Sequence, residues 1–321
     1  MRTDNYAVLD LGTNTFNLLI LNIGSTSKTI LHQDRYAVKI GKGGIHDQII
    51  TDDAFNRAVD AVAYFKKEIN KHHVPLENVK AVATSAFRNA INGVELADKI
   101  KEKTGIEVEI IAGEREAELI YYGVKSALTI GDETSLIMDI GGGSVEFIIC
   151  DENNIFWKKS YEIGAQRLLD IYHKTDPIQS EQIERLYIFL EKTLTDLQKN
   201  INLFKPRTLI GSSGTFDTLC EIYLQKNNID HILDSGTEFE LPLNAFGELF
   251  LQLVSKNVEE RKKIPGMSEM RVDMIVVASC LIDYVLKSFY FNKMRVSFYS
   301  LKEGIFYLMT NNQLVLEEEM A

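Results

Sequence analysis

Two short segments of the chain end an apolar run in an aspartate and follow it with a turn of glycine and hydroxyl residues. Asp10 precedes Gly12-Thr13-Asn14-Thr15, and Asp139 precedes Gly141-Gly142-Gly143-Ser144. A turn of this composition gathers backbone N–H groups into a concave nest that binds phosphate oxygens without side-chain charge. The carboxylate beside it is a hard oxygen ligand, suited to Mg2+ or to the waters of Mg2+. A third segment, Gly211-Ser212-Ser213-Gly214-Thr215, runs from a short apolar strand into a helical pattern, where the helix N-terminus adds its dipole. Glu146 interrupts the apolar stretch Val145–Ile149. Strand alternation puts it on the face of Ser144 and Ile148, opposite Val145, Phe147 and Ile149, and in so apolar a strand it is expected to face a cleft or solvent. Gly113-Glu114-Arg115-Glu116-Ala117-Glu118 crowds three acids into a helix start. Dipole complementation accounts for one or two of them, and residue types alone do not single out a catalytic one.

Basic residues flank these segments: Arg35, Lys39, Lys42, Arg88, Arg115, Arg167, Arg271 and Lys302. The histidines, His32, His46, His72, His73, His173 and His231, show no ligand spacing, and His72-His73 reads as a solvated helix end. Cys150, Cys220 and Cys280 are far apart in apolar stretches, which argues against a thiolate zinc site or a disulfide framework and for reduced, buried thiols. No Gly-x-x-x-x-Gly-Lys-Ser/Thr is present and no Gly-x-Gly-x-x-Gly follows a strand, so P-loop and dinucleotide-fold readings drop out.

The elements that must hold these residues repeat. Each Asp-turn joins two apolar strands, and the two hairpins are separated by about one domain length. Between them, helical spacing over 52–70, with Phe55, Val59, Val62 and Phe65 on one stripe, precedes a strand at 79–84. A helix at 94–103 stopped by Gly105, a strand at 106–111 and a helix at 114–127 follow. After the second hairpin come a strand at 155–161, helices near 164–173 and 179–202, a strand at 208–211, and helices near 214–225, 243–262 and 269–288. A strand at 295–298 and a helix at 301–310 follow, and the tail Glu317-Glu318-Glu319 is expected to be frayed. The pattern argues for α/β layers in two domains, 1–127 and 128–300, packed around a cleft.

The 321 residues are 45% hydrophobic and 25% charged, which suits a globular protein with two cores. Lys+Arg 35 against Asp+Glu 46 gives a net charge of −11, the wrong sign for a protein that coats nucleic acid. The N-terminal apolar run is broken by Asp10 and Asn14, and the longest one, Met274–Ile282, is far short of the roughly 20 residues that span a bilayer. No nucleic-acid or membrane partner, and a cytoplasmic location, are expected.

With these residues in view, the sequence resembles the exopolyphosphatase/guanosine pentaphosphate phosphatase family of the sugar kinase–heat-shock ATPase–actin superfamily. The resemblance rests on DLGTNTFNLLI at 10–20, ATSAFRNA at 83–90, GEREAELIYYGV at 113–124, DIGGGSVEF at 139–147, IGAQRL at 163–168, PGMSEMRVD at 265–273 and SLKEG at 300–304, in the family's order. It departs from the family at Ser213-Gly214-Thr215 for Gly-Gly-Thr, Lys302 for Arg and Lys39 for Arg. A Lys in place of Arg loses bidentate phosphate recognition.

The resemblance implies two ribonuclease-H-like (actin/hexokinase-type) α/β domains flanking an interdomain cleft, with the C-terminal segment 301–321 returning to the first. It implies hydrolysis of the terminal phosphoanhydride of inorganic polyphosphate or guanosine pentaphosphate. Glu116 would be the catalytic base, and Arg88 a phosphate clamp. Gly12, Thr13, Asn14, Thr15, Gly141, Gly142, Gly143, Ser144, Ser213 and Gly214 would bind phosphate, and Mg2+ would be held by Asp139, Glu146 and Asp10. Longer relatives carry an extra C-terminal helical region, so distributive cleavage is expected of the two core domains alone. A homodimer is the family-level expectation. The alternatives are a non-catalytic guanosine tetra- or pentaphosphate sensor and a sugar-kinase-like phosphotransferase.

Overall fold

The computed structural model describes residues 4–24, 28–43, 47–229 and 236–311. His46, His231, residues 312–321 of the C-terminal segment and the Glu317–Glu319 tail within it therefore lie outside the described residues. The chain divides into two compact units, one of residues 1–119 with 301–321 and one of residues 120–300. The division falls inside a helix rather than after it at 127.

In the first unit the strands β1 (Asp4–Leu11), β2 (Thr15–Ile23) and β3 (Lys28–Ala37) form an antiparallel meander. Helix α1 (Asp52–Lys71), strand β4 (Val79–Ala83), the short α2 (Ser85–Asn89), α3 (Gly93–Thr104), β5 (Val108–Ile110) and α4 (Gly113–Ala127) follow, with α4 ending in the second unit. The sheet order is β3-β2-β1-β4-β5, with β1, β4 and β5 parallel. Thr51 caps α1, its hydroxyl accepting from the Ala54 N–H, and Asp52 and Asp53 complement the helix dipole. The α1 stripe of Val59, Val62, Phe65 and Ile69 packs against Leu9, Leu11, Leu18 and Ile20 of the sheet. Burying a side chain such as Phe65 stabilises by about 1.5–3 kcal/mol. Gly105 ends α3 at φ +75°, a conformation that glycine adopts without a Cβ penalty. The C-terminal helix Leu301–Thr310 packs beside β1.

The second unit repeats the plan. Strands β6 (Ser135–Ile140), β7 (Val145–Cys150) and β8 (Ile155–Tyr161) are again an antiparallel meander. Helices α5 (Ala165–Tyr172), α6 (Ser180–Thr193) and α7 (Thr195–Phe204) lead to β9 (Thr208–Ser212) and α8 (Gly214–Lys226). Then come β10 (Glu238–Leu241), α9 (Leu243–Ser255), α10 (Val258–Arg261), α11 (Ile275–Ser288) and β11 (Lys293–Ser297). Read from β8, the sheet runs β8-β7-β6-β9-β11 with β10 as an added edge, and β6, β9 and β11 are parallel. Both units therefore have the ribonuclease-H-like sheet expected from the sequence. Among the described residues, no helix is long and apolar enough to cross a membrane.

The second unit departs from the sequence reading in its helices. The helix expected over 179–202 breaks at Leu194, which leaves helical geometry and is buried. The helix expected over 243–262 stops at Ser255 and restarts at a capping box. Asn257 accepts from the Glu260 N–H, while the Glu260 carboxylate accepts from the Asn257 N–H. The helix expected from 269 begins at Ile275, and the structure adds the short elements β10 and α2.

Candidate active site

In both units the marked residues sit at the carboxyl ends of parallel strands, where open α/β sheets place their ligand sites. Asp139 is directly opposite Glu146 in the β6/β7 ladder, Glu146 is opposite Ser160 in β7/β8, and Asp139 is opposite Ser212 in β6/β9. A row Ser212–Asp139–Glu146–Ser160 thus crosses four adjacent strands on one face. The other face carries Leu136, Met138, Ile140, Val145, Phe147 and Ile149 into the core. The Ser212 hydroxyl donates to Asp139 Oδ2 at 2.6 Å, the Ser300 hydroxyl to the same oxygen at 2.5 Å, and the Ser160 hydroxyl to Glu146 Oε1 at 2.7 Å. The alternation assigned Glu146 to the correct face, but it is not a solvated residue: it is 1% exposed and Asp139 5%.

The sequence reading missed the hydroxyls of Ser160, Ser212 and Ser300. Ser300 is brought to Asp139 because its carbonyl lies where a Cβ on Gly123 would stand, at 1.9 Å, so that only glycine fits in α4 at that point. The signal available was Ser300 at the head of the SLKEG segment.

The Gly141–Ser144 turn is tied back to the start of α5. The Gly141, Gly142 and Gly143 carbonyls accept from the N–H groups of Ala165, Gln166 and Gly164, and the Gly143 carbonyl also accepts from Arg167 Nε at 2.9 Å. With the carbonyls held on that side, the N–H groups of Gly142 and Gly143 donate to no group among the described residues. This is the nest that suits a phosphate. Arg167, one of the basic residues that flank the motifs, thus braces the turn and pairs with Glu162 at 3.2 Å. At the third turn Ser213 has φ +75° and ψ 169°, a region nearly confined to glycine, and Arg271 packs against Gly214 closely enough that a Cβ there would meet its guanidinium at 2.5 Å.

The first unit holds the matching hairpin. The Gly12 N–H donates to the Thr15 carbonyl at 3.1 Å, as the Gly141 N–H does to the Ser144 carbonyl at 3.1 Å. The Thr13 and Asn14 carbonyls accept from the N–H groups of Gly41 and Lys39. One difference is chemical. The residue opposite Asp10 is Asn17, whose amide donates to Asp10 Oδ2 at 2.9 Å, where the second hairpin has Glu146. Arg35 Nε donates to Asn17 Oδ1 at 3.2 Å. Lys302 pairs with Glu303 at 2.8 Å. Desolvation opposes its charge, but Glu303 and the nearby Asp10 outweigh it and raise its pKa.

Two buried carboxylates facing each other on one sheet face repel unless a cation or proton lies with them. Asp139 and Glu146 therefore fit a hard divalent cation by their oxygen chemistry and their opposition in the ladder.

Glu116 is buried, and Arg88 Nη1 donates to its Oε2 at 3.1 Å and to the Ile111 carbonyl at 3.0 Å. Arg88, expected as a phosphate clamp, also pairs with the glutamate and ties it to Ile111, the residue after β5. Arg115 pairs with Glu118 at 3.4 Å, Lys39 is half-buried, and Lys42 is exposed. All three cysteines are buried and free, and burial pushes the Cys280 thiol up to about 12, which makes it inert.

Two ribonuclease-H-like units, each opening on an Asp–Gly hairpin, define the actin-like ATPase fold class. The model of the Ppx/GppA phosphatase family matches residues 19–313, and the chain belongs to that family. A solved exopolyphosphatase from Cytophaga hutchinsonii is 45% identical, with a TM-score of 0.93 over 96% of this chain and 98% of that one. A putative exopolyphosphatase of Haemophilus influenzae is 29% identical over 306 residues, 95% of this chain and 91% of that protein. A guanosine-5'-triphosphate,3'-diphosphate pyrophosphatase of Photobacterium profundum is 26% identical over 304 residues, and the match spans 95% of this chain but 59% of that protein.

Proposed function

We propose that this phosphatase hydrolyses the terminal phosphoanhydride of inorganic polyphosphate, with guanosine pentaphosphate as the second candidate substrate. The observation that carries the reading is the pair of opposed, buried carboxylates Asp139 and Glu146 beside the Gly141–Ser144 turn. The preference for polyphosphate follows from the relatives: the exopolyphosphatases match over nearly their whole length and the guanosine pyrophosphatase over 59% of its own.

Phosphoryl transfer needs positioning and charge neutralisation more than covalent chemistry. The N–H groups of the Gly12–Thr15 and Gly141–Ser144 turns, with Ser213 and Gly214, would hold phosphate oxygens. Asp139 and Glu146 would hold Mg2+, which when bound supplies positive charge to the phosphoryl oxygens. Glu116, fixed by Arg88, takes a proton from water as the water oxygen bonds to the terminal phosphorus. The bridging oxygen leaves with the shortened chain, and orthophosphate is released.

The test is release of orthophosphate, in Mg2+, from polyphosphate and from guanosine pentaphosphate side by side. Faster release from polyphosphate supports the reading. Release from the nucleotide alone overturns the substrate order, and tight nucleotide binding without release from either overturns hydrolysis.

A further inference from the structure

A cluster of ligand-bearing side chains lies outside the candidate active site. His32 on β3 meets Glu68 in the last turn of α1 and His72 just beyond it, and one ligand atom from each lies within 4.8 Å of the others. His32 Nε2 is 4.0 Å from Glu68 Oε2 and 3.8 Å from Asp34 Oδ2, and it is buried with no hydrogen-bond partner. The two imidazole rings face each other at 5.4 Å between centres. Two imidazoles on one tetrahedral zinc, each with a Zn–N bond of about 2.0–2.1 Å, set their ring centres about 5 Å apart.

We propose that His32, Glu68 and His72 form a zinc site, with Asp34 or a water as the fourth ligand. Two imidazoles and a carboxylate are a common zinc donor set. Glu68 and His72 are spaced i,i+4, and His32 and Asp34 i,i+2, so that each pair shares one face of its element. The backbone is braced: the His72 carbonyl accepts from Asn5 Nδ2 at 2.8 Å, and its N–H donates to the Glu68 carbonyl at 3.0 Å. Tyr64, one turn before Glu68, lies beside Asp34, whose carboxylate raises the pKa of the phenol. Lys71 pairs with Glu68 Oε2 at 3.0 Å from an exposed position, and zinc would displace it.

The cluster is separate from the Asp10 hairpin. His32 and Asp34 pair with Ile20 and Leu18 on the face that α1 covers, whereas Arg35 pairs with Asn17 on the other. β3 is the edge strand of its sheet, so zinc there would clip the edge to α1.

The experiment measures zinc alone, by competition with a chromophoric chelator, on the wild-type chain, His32→Ala/His72→Ala, His72→Asn and Glu146→Gln. We expect the wild type and Glu146→Gln to bind one zinc ion at this site. The double histidine variant should bind it about 100-fold or more weakly, and His72→Asn more weakly as well. Zinc should raise the melting temperature of the wild type and not of the double variant. Phosphatase activity in Mg2+ should be unchanged by the histidine substitutions. Equal zinc affinity in the wild type and His72→Asn, or no zinc bound by the wild type, overturns the site. Loss of zinc in Glu146→Gln alone would place the metal at the other carboxylates and overturn it too.

Discussion

Glu146 stands across the β6/β7 hairpin from Asp139 in the position that Asn17 takes opposite Asp10 in β1/β2. The two hairpins share their turn hydrogen bond, but one sets an amide against its aspartate and the other a second, buried carboxylate. That substitution turns a neutral contact into a repulsive one, and it carries the proposed cation preference.

Glu146→Gln should therefore stabilise the metal-free protein while it weakens Mg2+ binding. Like charges directly opposed on a sheet cost up to about 1 kcal/mol, which corresponds to about 2–4 °C in Tm for a domain of this size. Differential scanning fluorimetry with and without Mg2+ reads both effects. A variant that melts lower than the wild type without metal, yet keeps the full Mg2+-induced rise, would contradict the repulsion.

Arg88→Lys keeps the charge but loses the planar guanidinium that sets Nη1 between Glu116 and the Ile111 carbonyl. A positioning role predicts that kcat falls about 10-fold or more while KM changes little. Steady-state kinetics on polyphosphate checks the split. A rise in KM at constant kcat would return Arg88 to a direct phosphate contact.

Much of this site is legible in the sequence where the signal is local. The Asp–Gly turns, the strand alternation around Glu146 and the α1 stripe need only neighbouring residues. Long-range pairings leave no such mark. Ser160 and Ser212 join Asp139 and Glu146 only through the strand order, Arg88 meets Glu116 because β4 and β5 are adjacent, and His32 meets His72 across a strand and a helix. The break at Leu194 has no glycine or proline to announce it, and the four-residue β10 is too short for a period to show.

Ser213→Gly should stabilise the protein. Ser213 pays about 1–3 kcal/mol for φ +75° with an extended ψ. Glycine relieves this but gains entropy in the unfolded chain, so a net gain of about 1 kcal/mol is expected. Urea unfolding of the two proteins measures it, and a loss of stability would show that the serine hydroxyl, 3.4 Å from the Ile140 carbonyl, matters more than the strain.

Asp176 governs an acid-sensitive contact in the second unit. Burial works to raise its pKa, but the Arg261 guanidinium at 2.7 Å and the Val258 N–H at 2.5 Å outweigh burial and lower it. A folded pKa below the unfolded one adds stability that is fully present above about pH 4 and is lost as pH falls through the folded value. Asp176→Asn leaves the buried Arg261 without its anion and should cost about 2–3 kcal/mol at pH 7. The gap should close below about pH 4. Chemical unfolding at several pH values tests the sign, and a gap that widens in acid would refute it.

The central claim, that this chain is a hydrolase with Glu116 as its base, is tested most directly by orthophosphate release from polyphosphate in 18O-labelled water, for the wild type and Glu116→Gln. The account predicts one 18O atom in each orthophosphate released and a fall in kcat of about 10²–10⁴ in the variant with little change in KM. Unlabelled phosphate, or a variant turning over at nearly the wild-type rate, would contradict it.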